Sequence, residues 1–130
     1  MEAPRPEAIN VAQKLATFDD LWHQRLIAEL NGQHVKLVKL QGTFIWHHHD
    51  HEDELFMVIS GRLKMEFRDR QSGTENQVWL EPGELIVVPR GVEHRPHADE
   101  VTSIMLFEPA ATVATGNAAD EGPPEPIERI

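Results

Sequence analysis

Apolar and polar residues alternate with a period of two over much of this chain. In GRLKMEFRD (61–69), Leu63, Met65 and Phe67 fall on one side and Arg62, Lys64, Glu66 and Arg68 on the other, the pattern of a half-buried antiparallel strand. The runs LFMVIS (55–60), ELIVVP (84–89) and TSIMLF (102–107) are short, apolar and largely β-branched, which favours strands covered on both faces over helices. DRQSGTEN, EPGE and PRGVE supply glycine-bearing turns between them. Only FDDLWHQRL has helical spacing, with Phe18, Leu21, Trp22 and Leu26 on one side, and predicts a short helical turn near the N-terminus. Several short strands at regular spacing predict an all-β sandwich or barrel. Residues 1–8 are expected to be flexible, 9–109 to form one domain, and 110–130, which include ATVATGNAADEGPPEP, to be a flexible tail.

Composition narrows the chemistry. With 130 residues the chain has the size of one domain. It has no cysteine, so disulfides, thiolate metal sites and cysteine nucleophiles are excluded, and any metal must be held by nitrogen and oxygen. A net charge of −10, from 12 basic and 22 acidic residues, repels phosphate backbones and anionic lipid, so neither nucleic acid nor a membrane is expected as a partner. The N-terminal segment lacks the features of a secretory signal and no apolar run is long enough to span a bilayer, which predicts a cytoplasmic protein.

The densest chemistry lies in WHHHDHEDE (46–54), with four histidines and four carboxylates in nine residues. Such residues are costly to bury unpaired. A strand through TFIWHHH turns Thr43, Ile45, His47 and His49 to one face and Phe44, Trp46 and His48 to the other. His47 and His49 then stand roughly 6.5–7 Å apart along the backbone, close enough for both to reach one ion. DHED forms a polar turn, and the next strand opens at Glu54 beside the two histidines. Downstream, the turn Pro89-Arg90-Gly91 aims His94 from the start of another strand, whereas His97 has the opposite parity.

These residues fit two motifs, and through them the chain resembles the cupin superfamily, its small single-domain bacterial members in particular. His47, His49, Glu54 and Gly61 match the first motif, with four residues after His49 and six after Glu54. Gly83, Pro89, Gly91 and His94 match the second. Gly42 lies one residue closer to His47 than the pattern asks, and Ala98 stands where the second motif ends in asparagine. The resemblance implies a double-stranded β-helix, or jelly-roll, barrel. Its mouth would hold one divalent ion, whether iron, manganese, nickel, copper or zinc, on His47, His49, Glu54 and His94.

The remaining polar residues are assigned more ordinary places. His48, His51, Asp50, Glu52 and Asp53 are read as a solvated turn, and His23, His34 and His97 as surface residues. By parity Phe56, Val58, Met65 and Phe67 line the pocket. No inward basic residue is evident in the motif strands; Lys36 and Lys39 lie on opposite faces, so that one could point inward and admit an anion. The outward parity of Trp46 and Trp79 predicts a covered face and hence a homodimer. The expected partner in the site is a small molecule. An ion with two open positions suits a metal-dependent enzyme of dioxygenase or isomerase type, acting on a molecule that ligates through oxygen. The alternative is a sensor that binds such a molecule without turnover.

Overall fold

The computed structural model describes residues 5–118 and 126–130. In chain order these form helix α1 (Val11–Leu15) and strands β1 (Arg25–Leu30), β2 (Gln33–Thr43), β3 (Glu54–Ser60), β4 (Leu63–Arg68), β5 (Glu75–Leu80), β6 (Leu85–Val88) and β7 (Glu93–Pro109), then a 3₁₀ turn (Gly116–Ala118) and β8 (Glu128–Arg129). Strands are neighbours in the order β5-β4-β7-β2-β1-β8, with β3 paired to both β6 and β7. The result is the all-β, double-sheet barrel that the period-two pattern and the motifs predict.

β2 and β7 hold the barrel together. They pair antiparallel from Gln33↔Pro109 to Thr43↔His97, and β7 offers its other edge twice. Glu93–His97 pairs with β4, and Ser103–Phe107 pairs with β3. Between these halves the β2–β7 register slips, so that the one residue between Leu40 and Gly42 faces three between Thr102 and Ala98. The extra residues let β7 bend from one sheet into the other.

Alternation sorts the side chains into two apolar layers. Val38, Leu40, Phe56, Val58, Leu63, Met65, Ile104 and Leu106 fill the barrel. Leu37 and Ile27 face outward and pack under Leu15 and Phe18, joined by Val11, Val35, Ile59, Met105 and Ile130. Part of the doubly apolar strand pattern is thus covered within one chain.

Three expectations are corrected. The helix lies at Val11–Leu15, capped by Asn10 Oδ1, which accepts from the Gln13 amide at 2.9 Å, and not at FDDLWHQRL. Trp22 adopts φ 68°, a reversal incompatible with a helix, and its amide donates to Lys39 O at 2.8 Å, tying this segment to β2. Second, the described parts of 110–130 lie against the barrel: Glu128–Arg129 pairs parallel to β1, and the 3₁₀ turn is bonded to the histidine segment. Asn117 provides that bond, a polar side chain that composition alone could not distinguish from tail. Residues 119–125, and 1–4 of the N-terminal segment, lie outside the described residues. Third, Trp46 and Trp79 are capped from their own chain, Trp79 by Arg62 and Lys64, and Trp46 by Arg68 and Arg95. Among the described residues the large apolar side chains left most exposed are Leu85 and Val87 of β6 and Val101 of β7.

Gly61 joins β3 to β4 at φ 87°, and a Cβ there would stand 2.8 Å from Thr102 Cα. The Thr102 hydroxyl brackets this turn, accepting from the Arg62 amide and close to Arg62 O, both at 3.1 Å. Gly61→Ala is therefore expected to cost about 1–3 kcal/mol, read as a thermal midpoint lowered by several degrees in circular dichroism.

Candidate metal centre

Three segments converge on the inside of the barrel. β2 ends at Thr43, and the following residues leave regular strand pairing except for a single bridge, His47↔His94. Its two hydrogen bonds, 3.1 and 2.8 Å, fix His47 beside the start of β7. Glu54 opens β3. The Gly91 amide, just before β7, donates to His49 O at 2.7 Å. The continuous strand expected through TFIWHHH is thus interrupted, yet its alternation survives, with His47 and His49 both turned inward.

The four side chains are 1–4% exposed, and one nitrogen or oxygen from each lies within 4.8 Å of the others. His47 Nδ1 stands 2.9 Å from Ile45 O, and His94 Nδ1 stands 2.9 Å from Val92 O. A carbonyl can only accept, so both Nδ1 atoms carry the proton and both Nε2 atoms present a lone pair. Glu54 Oε1 lies 2.6 Å from His49 Nε2 and 3.2 Å from His94 Nε2. None of these three atoms has a partner aligned for a hydrogen bond. Buried polar atoms are rarely left in that condition. A shared cation would satisfy all three at once, so the donor set fits a first-row divalent ion.

The electrostatics agree. Burial, with the neighbouring His94, lowers the His47 pKa to about 4, so this imidazole is neutral and free to ligate at ordinary pH. Burial pushes Glu54 up, but its contacts with His49, His94 and Glu108 outweigh that and hold it below the usual carboxylate range. Glu108 is pushed up to about 9 by burial and by the facing Glu54, against the pull of Lys36. Glu54 is therefore the carboxyl that carries the charge.

Beside this cluster opens a pocket of about 450 Å³, its solvent-open mouth included. His47 and Glu54 are its ionisable lining; Trp22, Val38, Phe44, Phe56, Ile104 and Leu106 supply most of the apolar wall. Trp22 stacks on Phe44 at 5.1 Å, and Phe44 meets His47 edge-on at 5.3 Å. Of the four expected lining residues only Phe56 takes that place. Val58 and Met65 have no exposure and Phe67 packs against the same core. Inward parity selects the barrel interior, and the end filled by β4 is closely packed. The wall comes instead from β2, the second half of β7 and the segment before β1, where Trp22 had been read as helical.

The other polar residues divide. His51 and Asp50 are exposed, and Asp53 pairs with Arg90 at 3.2 Å, as befits a polar turn. His97 points outward between Thr43 and Asp99. His48 departs from expectation: it is 8% exposed, with Nε2 3.1 Å from both Arg70 Nη1 and Asp50 Oδ1. The 3₁₀ turn covers it. Asn117 Oδ1 accepts from the His48 amide at 2.7 Å, while the Asn117 amide donates to His48 O at 3.0 Å. Gly116 leaves room for this approach, since a Cβ there would collide with His48 O. His34 too is largely covered, its side chain 13% exposed on β2. Asn117 carried no sequence signal. Glu108 did: it extends the alternation Thr102, Ile104, Leu106 onto the inward face.

Residues 34–108 match the Cupin_2 family, described as the Cupin domain. The chain is 44% identical to a cupin-2 domain containing protein of known structure from Shewanella frigidimarina NCIMB 400, with a TM-score of 0.72 over 78% of this chain and 93% of that one. It is 35% identical to YdbB of Bacillus subtilis (strain 168) over 53% of this chain and 57% of that protein. To acireductone dioxygenase 1 of Coprinopsis cinerea it is 33% identical, over 54% of this chain and 40% of that protein. The chain thus spans about half the length of these curated relatives. In fold alone it is also similar to hydroquinone 1,2-dioxygenase from Sphingomonas sp. TTNP3, at 17% identity, a TM-score of 0.71, and 81% and 32% coverage.

If the four residues ligate, His49→Ala should remove most of the bound metal, measured by elemental analysis of protein prepared without nickel resin. His48→Ala should keep close to the wild-type content, because its ring faces Arg70 and Asp50 instead. Equal losses would overturn the assignment.

Proposed function

The chain belongs to the Cupin_2 family, and from its site we propose a metal-dependent enzyme of dioxygenase type that acts on a small molecule ligating through its own oxygens. The observation that carries this reading is the juxtaposition of four convergent donors, three of their atoms unpartnered, with a largely apolar, aromatic-walled pocket. A divalent ion held by His47, His49, Glu54 and His94 supplies Lewis acidity toward a substrate's oxygens and, as iron(II), the electrons that activate dioxygen. The chain's own residues then bind and orient. Phe56, Leu106 and Ile104 accept an apolar body, Trp22 and Phe44 offer flat surface to a conjugated one, and the apolar wall limits water around the reacting atoms.

Charge restricts the substrate class further. Lys36 does point inward, but it is paired with Glu108 at 2.8 Å; Lys39 reaches outward to Phe18 O at 2.5 Å. Neither offers the pocket a free cation, which disfavours phosphosugars and with them the isomerase reading. Catechol-like, hydroquinone-like, diketone-like and enediol-like molecules meet the demand for ligating oxygens on an apolar frame. The names of an acireductone dioxygenase and a hydroquinone dioxygenase among similar proteins fall in the same class. Against catalysis stands one feature: apart from the ligands themselves, the pocket wall holds no acid or base. That favours the alternative, a metal-dependent small-ligand sensor.

The homodimer is proposed on a revised basis. Val87 lies opposite Leu55, and Leu55 opposite Phe107, in one outward row; Leu85 and Met57 begin another. Leu85 and Val87 are 53% and 51% exposed, and among the described residues no strand pairs with the far edge of β6.

The iron(II) form, mixed anaerobically with a panel of such compounds and then exposed to air, is expected to consume oxygen with at least one of them. Tight binding without turnover would place the protein in the sensor class, and turnover independent of oxygen would restore the isomerase reading. Sedimentation at micromolar concentration is expected to give twice the chain mass, and Leu85→Lys with Val87→Lys to give the monomer.

A further inference from the structure

Behind the four convergent residues lies a buried polar pair with no part in the pocket wall. Lys36 of β2 and Glu108 of β7 both turn into the barrel, 3% and 1% exposed, and Lys36 Nζ donates to Glu108 Oε1 at 2.8 Å. No donor reaches Glu108 Oε2. The Glu108 carboxyl instead faces the Glu54 carboxyl on the adjoining strand, near enough for each to shift the other's protonation. Strand register explains the approach, since β3 and β7 pair Leu55 with Phe107 and so bring Glu54 and Glu108 opposite each other one step further on. The residues run in a line: Lys36 to Glu108, Glu108 to Glu54, and Glu54 to the Nε2 atoms of His49 and His94.

Stability does not account for this pair. Withdrawing an ammonium and a carboxyl group from water is costly, and apolar side chains of similar volume often serve a core as well as such a buried pair or better. The neighbours on the same strand faces, Val38 and Leu106, are apolar. Nor does substrate contact account for it, because neither residue lines the pocket. What the pair does reach is the one carboxylate among the four convergent donors.

The geometry points to Lys36 and Glu108 as positioning residues that fix the Glu54 carboxyl so that Oε1 faces His49 and His94, and that thereby set the affinity and coordination geometry of the ion held there. This rests on the reading of those four residues as metal ligands. Lys36 immobilises Glu108 from β2, and Glu108 restricts rotation of Glu54 from β7. The carboxylate is thus braced by the neighbouring strand β7, itself held from β2 beyond it, as partners of metal ligands commonly are.

Copper(II) serves as the probe, with affinity from titration and geometry from electron paramagnetic resonance. The double variant K36M/E108L replaces the pair by apolar side chains of similar size. It should still bind one ion per chain, about 10–100-fold more weakly, with an altered copper hyperfine splitting. E108Q can still accept from Lys36 and touch Glu54, and should restore the wild-type spectrum. E54Q should lose most of the ion. A double variant with wild-type affinity and spectrum, while E54Q loses its ion, overturns the positioning role and leaves the ligand assignment standing. A wild-type protein that takes up no ion overturns the ligand assignment itself, and this inference with it. If the double variant does not fold, Lys36→Gln takes its place, and an unchanged spectrum and affinity there are equally decisive.

Discussion

Three imidazoles and a carboxylate are gathered at the inner end of an apolar barrel, and much of the surrounding structure bears on keeping them there. Isolated, each would be expensive to bury. Together they present donors that share one demand, and two of the rings are locked in the needed tautomer by main-chain carbonyls, Ile45 O and Val92 O. The barrel contributes position. The His47↔His94 bridge, the Gly91 amide on His49 O and the Asn117 clamp on His48 each fix main chain, not side chain. A site held by its backbone loses little further freedom on taking up a ligand.

The same arrangement explains how one barrel serves two solvents. Inward positions of β2, β3 and β7 are apolar over most of the packed core, and ionisable where strands meet at His94, Glu54, Glu108 and Lys36. Outward positions are likewise divided. Around β4 and β5 arginine and lysine side chains lie over Trp46 and Trp79, whereas around β1 and β2 the N-terminal helix and Ile130 provide the cover. Cation–aromatic contacts let large rings sit at a surface without leaving a bare apolar patch.

Much of this was legible in the sequence where a residue's role depends on its immediate neighbours. Period-two alternation marks β4, continuous apolar runs mark β3 and the second half of β7, and the paired spacings of histidine, glutamate and glycine single out His47, His49, Glu54 and His94. What escaped depends on residues far apart in the chain. Trp22 has helical company in FDDLWHQRL, but its backbone is set by Lys39. His48 has a solvent-facing parity, but Asn117 covers it from 69 residues away. Glu108 lay in plain alternation with Ile104 and Leu106; only the register between β3 and β7 reveals that it meets Glu54. Parity distinguished inside from outside correctly for Val58 and Met65, yet it could not say which inside positions are packed and which face open space.

The distance between Asn117 and His48 has a bearing on biosynthesis. Strand pairing can join β1 to β2 and β3 to β6 early, but the histidine segment stays without its clamp until residue 117 has left the ribosome. A nascent chain stopped short of that point would carry His47 and His49 on a loop held from one side only, next to acidic and histidine residues able to take metal in other ways. Were the four residues to take up an ion, the order of synthesis would favour its acquisition after the barrel has closed, and would give Gly116 and Asn117 a role in the fidelity of that event.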